Sequence, residues 1–226
     1  MIALIVASRR RLRSGSEAGV SLVELIVTIM ITGVVLSIVA AMFINVAKVT
    51  ADANGTNRRS SIAANVMNEV SKAIRTAANN ATASSPDADP AIVSGTQSAL
   101  TLYSYVDTSP TAPAPTKVTF RVDANGDVWE DRVAGSASGS YWAFTATATS
   151  RNLGGPVSTT GLFTYLDQNN AEVVPGSTGF TLAQRNMISS VKVTVTIANA
   201  PTLGSDPIVI VNTVGMPNLL LTGTDN

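Results

Sequence analysis

The chain contains no cysteine and no histidine. Zinc sites of the usual ligand set, thiol nucleophiles, disulfide staples and every mechanism with an imidazole base are excluded. The missing cysteine says nothing about redox compartment, because a chain of 226 residues folds without bridges. Aromatic residues make up 5%, so a core outside any membrane is built mainly from Val, Ile, Leu and Ala. Charged residues are also scarce, at 13% against 45% hydrophobic, which is too apolar for a disordered chain. The length fits one domain, or one domain plus an anchor. No proline occurs before Pro86.

Charge is balanced overall, with 15 basic and 15 acidic residues, but it is unevenly placed. Residues 1–19 open with a short apolar run and then carry Arg9, Arg10, Arg11 and Arg13. The 23 residues from Leu25 to Ala47 carry no charge. At ~1.5 Å per residue they give roughly 35 Å of helix, enough to cross hydrocarbon. Basic residues precede this span and only Lys48 follows it closely. The positive-inside rule predicts the N-terminus in the cytoplasm and residues 48–226 outside.

A secretory signal peptide cut near Ala40 or Ala47 is disfavoured, because its apolar region is ordinarily about 7–15 residues. A plain signal anchor leaves Glu24 unexplained. A carboxylate at the head of an apolar span costs about 2–3 kcal/mol on insertion scales and is by default a functional residue. It stands in the run Gly19-Val20-Ser21-Leu22-Val23-Glu24-Leu25. This run resembles the prepilin cleavage and methylation motif of type IV pilins and pseudopilins. In that family a basic leader ends in Gly, then come a hydrophobic residue, a small polar residue, two aliphatics and Glu. Phe most often stands where this chain has Val20. The resemblance covers about 30 residues.

The resemblance implies a non-enzymatic filament subunit without a cofactor. A membrane-embedded prepilin peptidase would cut after Gly19 and methylate the new amine of Val20. An assembly platform and ATPase would move the subunit from lipid into a filament of other pilin or pseudopilin subunits. Glu24 would then pair with the Val20 amine of a neighbour, a contact favourable only if both charges leave water together. The plainer role for Glu24 is to sit against the positive helix N-terminus. Gly33, Ser37, Ala40 and Ala41 permit close helix approach, and equally fit ordinary membrane-helix composition. Many major pilins kink their helix with a Pro that this chain lacks, which favours a minor pilin or pseudopilin.

The expected organisation is a leader at 1–19, a membrane or filament-core helix at 20–47, its amphipathic continuation at 48–79, and an extracellular β-rich domain at 80–226. In 48–79, Ile62, Val66, Met67, Val70, Ala73, Ile74 and Ala77 recur at helical spacing. Arg59, Asn65, Asn68, Glu69, Lys72, Arg75 and Thr76 lie opposite. Gly55 is a place where the helix could loosen. Beyond residue 90 the period becomes two. Strands are expected at 99–106, 117–133 as a hairpin around Asn125-Gly126, 141–147, 162–174 as a second hairpin, 188–199 and 207–214. A proline-rich loop at 108–116 and a Gly/Ser linker after 133 separate them. The fold class is α+β, a long N-terminal helix packed on an antiparallel sheet as a pilin-like roll. The hairpin order resembles the larger minor pilins and pseudopilins of the W and J type.

Asp123, Asn125 and Asp127 have the alternating spacing of oxygen ligands, but position 128 is Val and 134 is Ala, which breaks an EF-hand pattern. The expectation is a type I′ hairpin turn and no metal site. The acid pairs Asp87/Asp89 and Glu130/Asp131 are expected to be solvated charges, not a hydrolase dyad. Tyr103, Tyr105, Tyr141, Trp142 and Phe144 could stack on bases. However, residues 80–226 hold six basic and eleven acidic residues, a net −5, which argues against nucleic acid as partner of the domain as a whole. Residues 48–79 hold five basic and two acidic residues, a net +3. The triplets beginning at Asn54 and Asn80 match a glycosylation pattern common by chance. The competing class is an uncleaved, membrane-anchored extracellular binding or adhesion domain. The expected location is the inner membrane as a single-pass protein, then a cell-surface or periplasmic filament.

Overall fold

The computed structural model describes residues 19–81, 89–106, 113–139, 141–176, 179–198 and 206–222. The basic leader up to residue 18, Asp87, Thr82 and residues 108–112 of the proline-rich loop lie outside the described residues. The chain divides into two compact units, residues 1–51 and 52–226. One helix, α1 (Leu22–Arg75), contributes to both.

In the first unit α1 is apolar on every side, and all its residues are exposed. By length and composition this segment is able to cross a membrane. Three of its hydroxyls bond back to the helix. Thr28 Oγ1 donates to Glu24 O at 2.7 Å, Ser37 Oγ to Val34 O at 2.7 Å and Thr50 Oγ1 to Val46 O at 2.9 Å. These three hydroxyl protons are thereby satisfied without water, as suits a helix in an apolar medium.

In the second unit α1 continues through Gly55 without a break. Arg59 bridges the place, with Nε donating to Gly55 O at 3.4 Å and Nη2 to Thr56 Oγ1 at 3.2 Å. From Ala63 on, the helix buries one face: Ala63, Val66, Met67, Val70, Ala73 and Ile74. Ile62 is only partly buried at its edge. The helix ends at Arg75, earlier than residue 79, because a strand takes over its next backbone groups. Tyr105 N donates to Thr76 O at 3.0 Å and Ala78 N to Tyr103 O at 3.1 Å.

The first sheet has five antiparallel strands: β1 (Ile92–Gly95), β2 (Ala99–Ser104), β3 (Thr116–Val122), β4 (Val128–Ala134) and, beyond a short excursion, β7 (Thr149–Gly154). The excursion is a hairpin of β5 (Ser136–Ser138) and β6 (Tyr141–Ala143). The second sheet holds β8 (Phe163–Leu166), β9 (Ser190–Ile197) and β10 (Ile208–Gly215), with β9 central. A short helix α2 (Leu182–Met187) precedes β9, and a 3-10 turn η1 (Pro217–Thr222) follows β10. The class is α+β, as expected, but the strands form three sheets and not one meander.

Alternation decides which side chains enter the core. β2 buries Leu100 and Leu102, β3 buries Val118 and Phe120, and β9 buries Val191, Val193, Val195 and Ile197. The second expected hairpin is a turn without a full return strand. Asn170 takes a left-handed φ of 61°, and Asp167 N donates to Ala171 O at 2.9 Å. Beyond it Glu172 bridges back to Leu166 and Val173 N donates to Tyr165 O at 2.8 Å, while the full ladder of β8 is formed with β9. The strand expected at 141–147 stops after Ala143.

Hydrophobic burial alone does not set the helix on the sheet. Glu69 and Asn65, expected on the solvent side, both reach strands. Asn65 Nδ2 donates to Leu153 O at 2.9 Å. Glu69 Oε2 lies 2.8 Å from Arg151 Nη2 and 3.5 Å from Arg132 Nη2. The same arginines hold Glu130, which is 1% exposed, at 2.7 Å from Arg151 and 2.9 Å from Arg132. The hydrogen bond to Glu130, with that to Glu69, holds the Arg151 guanidinium above its ordinary pKa against the opposing effect of burial. Two acids and two arginines close a neutral clasp between α1, β4 and β7.

Removing one member of a buried pair ordinarily costs about 3–5 kcal/mol. Both arginines retain partial access to water, so we expect Glu130→Ala to lose ~3 kcal/mol, the low end. Urea unfolding of the full chain in detergent micelles, followed by the fluorescence of Trp129 and Trp142, measures it. A loss comparable to that of an exposed pair would show that the clasp is ornamental.

Candidate functional site

The residues that carry the motif lie together at the head of α1. Gly19 and Val20 precede the helix, and Glu24 is its third residue. Ser21 caps it: its Oγ accepts from Glu24 N at 3.2 Å, while Ser21 O accepts from Leu25 N at 3.0 Å. The Ser-x-x-Glu spacing is that of a capping box, a signal of the helix start that the sequence reading left unused. The Glu24 carboxylate makes no hydrogen bond or ion pair with the described residues. Val20 is 68% exposed. A Cβ built on Gly19 would meet nothing within 4 Å, so the folded chain does not require glycine there. The same holds at Gly33. The head of α1 is therefore a carboxylate without a partner among the described residues, five positions after the bare backbone of Gly19 and leading into 23 uncharged residues.

The three oxygen-bearing residues of the first hairpin are arranged differently from a cation site. Asp123 Oδ1 accepts from Asn125 N at 2.8 Å and Asp127 N at 2.9 Å, and Oδ2 accepts from Trp129 Nε1 at 3.0 Å. Both oxygens thus point at N–H donors, which a cation would have to displace. Gly126 N donates to Asp123 O at 3.0 Å, and Gly126 has φ +83°. A type I′ turn needs positive φ at both central residues. Asn125 does not take it, so the turn is not type I′, and the left-handed residue is Gly126. A side chain at Gly126 would also strike Val157 O at 2.9 Å. Asp127 receives Asn152 Nδ2 at 3.4 Å. Asn125 is held by the Asp123 carboxylate through its backbone amide.

Of the acid pairs, the described members Asp89, Glu130 and Asp131 are all bonded to partners and are not the solvated charges expected. Asp89 receives Tyr103 OH at 3.1 Å and Arg185 Nη1 at 3.0 Å. Burial first, then Asp89, pushes the Tyr103 phenol up to about 12. Asp131 receives Arg121 Nε at 2.7 Å and Ser150 Oγ at 2.6 Å, while its neighbour Glu130 belongs to the clasp. Of the aromatics, Tyr103 stacks on Phe144 at 4.9 Å, and Tyr141 and Trp142 form β6. Arg121, Arg132, Arg151 and Arg185 are each committed to a carboxylate. This leaves Lys117 and Lys192 as the domain's basic residues outside any described ion pair, a poor surface for phosphates.

Neither a protein-family model nor a curated protein matches the chain.

Two carboxyls here sit below their ordinary value. For Asp131, burial raises the pKa but the bonds from Arg121 and Ser150 outweigh it. For Asp123, desolvation raises it and the donors from Asp127, Trp129 and Asn125 outweigh that. A depressed native pKa stabilises the fold above the unfolded value near ~3.9, and the contribution is lost as pH falls through the native value. We expect the urea midpoint to fall steeply below about pH 4, and Asp123→Asn to flatten that fall; an unchanged profile in the mutant would contradict the assignment. We also expect millimolar calcium to leave the melting temperature unchanged. A ligand at a hundred times its Kd adds ~2.7 kcal/mol, so a rise removed by Asp127→Ala would overturn the turn reading.

Proposed function

We propose that the chain is a structural subunit, a minor pilin or pseudopilin, of a type IV pilus-like or type II secretion-like filament. It is cleaved after Gly19 and N-methylated at Val20 by a prepilin peptidase. The mature subunit waits in the inner membrane with its new N-terminus at the cytoplasmic side and the β-rich unit outside. Assembly platform and ATPase then draw it into a filament of like subunits.

The observation that carries this reading is Glu24. It is the one charged residue between Gly19 and Ala47, its carboxylate is unpartnered among the described residues, and it heads an exposed apolar helix. Exposure of this kind suits a segment covered first by lipid and later by neighbouring helices. The Val20 amine released by cleavage is the natural partner of that carboxylate. Two further features support the reading. Gly19 and Gly33 are glycines without a need for glycine inside the folded chain. The first is where a protease cleft requires bare backbone, and the second is where close helix approach does.

Replacing Glu24 by Gln separates its roles. Loss of a helix-dipole contact alone costs ~0.3–1 kcal/mol, and assembly survives. Loss of the pair leaves the neighbour's amine buried and alone at several kcal/mol. We expect Glu24→Gln to be inserted, processed to begin at Val20, and largely missing from sheared filaments when cells making it are fractionated beside the parent. Processed mutant at parental level in filaments would refute the pairing. A parent chain that keeps its leader would instead identify an anchored extracellular binding domain.

A further inference from the structure

At the far end of α1, four separated stretches of the chain surround a cleft of about 730 Å³. Its size lies in the range of ~300–1,000 Å³ usual for small-ligand sites. Arg75, the last residue of α1, stands at its wall. The turn after β8 contributes Asp167, Gln168 and Asn170, and the end of α2 contributes Asn186. Met187, Met216 and Leu219 supply apolar lining.

These polar groups share a condition. Arg75, Gln168, Asn170 and Asn186 make no side-chain hydrogen bond or ion pair among the described residues. Arg59, Arg121, Arg132, Arg151 and Arg185 are tied to partners, whereas Arg75 shares its condition only with Arg58 among the described arginines of the second unit. Asp167 uses only Oδ1, accepting from Asn169 N and Ala171 N at 2.8 Å each, which fixes the carboxylate and leaves Oδ2 open. Arg75 and Asp167 line the same cleft without forming an ion pair with each other. One cation and one fixed carboxylate oxygen are therefore held apart across a space that also presents three neutral amides.

We propose that this cleft binds a sugar acid. A planar guanidinium reads a carboxylate in bidentate fashion. A carboxylate oxygen and side-chain amides read hydroxyls, as acceptor and as mixed donor and acceptor. The methionines and Leu219 pack against the C–H face of a ring. A simple anion uses Arg75 alone, and a neutral sugar leaves Arg75 without its partner. A single carboxylate on a polyhydroxylated ring uses all of them. This inference is independent of the filament reading, because no part of it involves the first unit.

The test is saturation-transfer NMR on the full chain in detergent micelles, with D-glucuronate, D-glucose and acetate as separate probes. D-glucuronate is expected to receive saturation on its ring protons, and neither D-glucose nor acetate to displace it at equal concentration. Arg75→Gln is expected to weaken binding by roughly tenfold or more, the worth of a hydrogen bond to a charged group. Asn186→Ala, an exposed change in a different element, is expected to weaken it as well while the melting temperature holds. Absence of D-glucuronate binding overturns the proposal. So does equal competition by D-glucose or by acetate, or full affinity in both variants.

Discussion

The 23 residues from Leu25 to Ala47 have no charge and no cover. Exposing a large apolar side chain that could be buried costs about 1.5–3 kcal/mol. Val27, Ile31, Val35, Ile38 and their neighbours are 43–74% exposed, so the sum far exceeds the stability of an ordinary domain. Something apolar must surround this half of α1. The other half has the opposite character. From Ala63 onward one face is buried and the rest is polar, as befits a helix that completes a core. One continuous helix thus answers to two different surroundings, and most of what is distinctive about the chain follows from that division.

The second unit meets its side of the constraint with few aromatic anchors. Phe120, Phe163 and Tyr165 are the large rings at its centre, and Val, Ile, Leu and Ala do the rest. Small aliphatic residues pack densely but specify orientation poorly, since many arrangements bury similar area. The Glu69–Arg151–Glu130–Arg132 clasp supplies direction, because its geometry is satisfied in one register of helix against sheet. Tyr165 adds a second fixed point. Its hydroxyl donates to Ala99 O at 2.8 Å or Thr96 O at 3.0 Å, joining the second sheet to the start of β2, and burial raises its pKa. Gly95 lies against that ring where a Cβ would not fit.

Long periodic segments were readable from residues alone. Helical spacing marked Val66, Met67, Val70, Ala73 and Ile74, and alternation marked β2, β3, β4, β9 and β10. Short elements were not. β7 reads TSRNLG, without alternation, and is a strand only because β4 offers it a ladder. β5 is Ser-Ala-Ser, indistinguishable from a linker. α2 has six residues, and its one local signal was Thr181 with Gln184, a capping box that the structure forms on both sides. The clasp was illegible for a related reason: Glu130 faces Arg151 across β4 and β7, a register that cannot be counted before β7 is known to exist. The turn at Asp123 was placed correctly and typed wrongly, because Asp123 rather than Asn125 organises it. The cleft beside Arg75 draws on four separated segments and has no linear signature.

The head of α1 differs in kind, since Gly19, Val20 and Glu24 are neighbours in sequence and their chemistry is local. The account rests on what happens to the peptide bond after Gly19. The most direct measurement is the mass and sequence of the N-terminal peptide of the chain purified from membranes of a cell that has a prepilin peptidase. The account predicts a peptide that begins at Val20 and carries one methyl group on its amine. A peptide that still contains Arg9 to Arg13, or one that begins near Ala40 or Ala47, would contradict it.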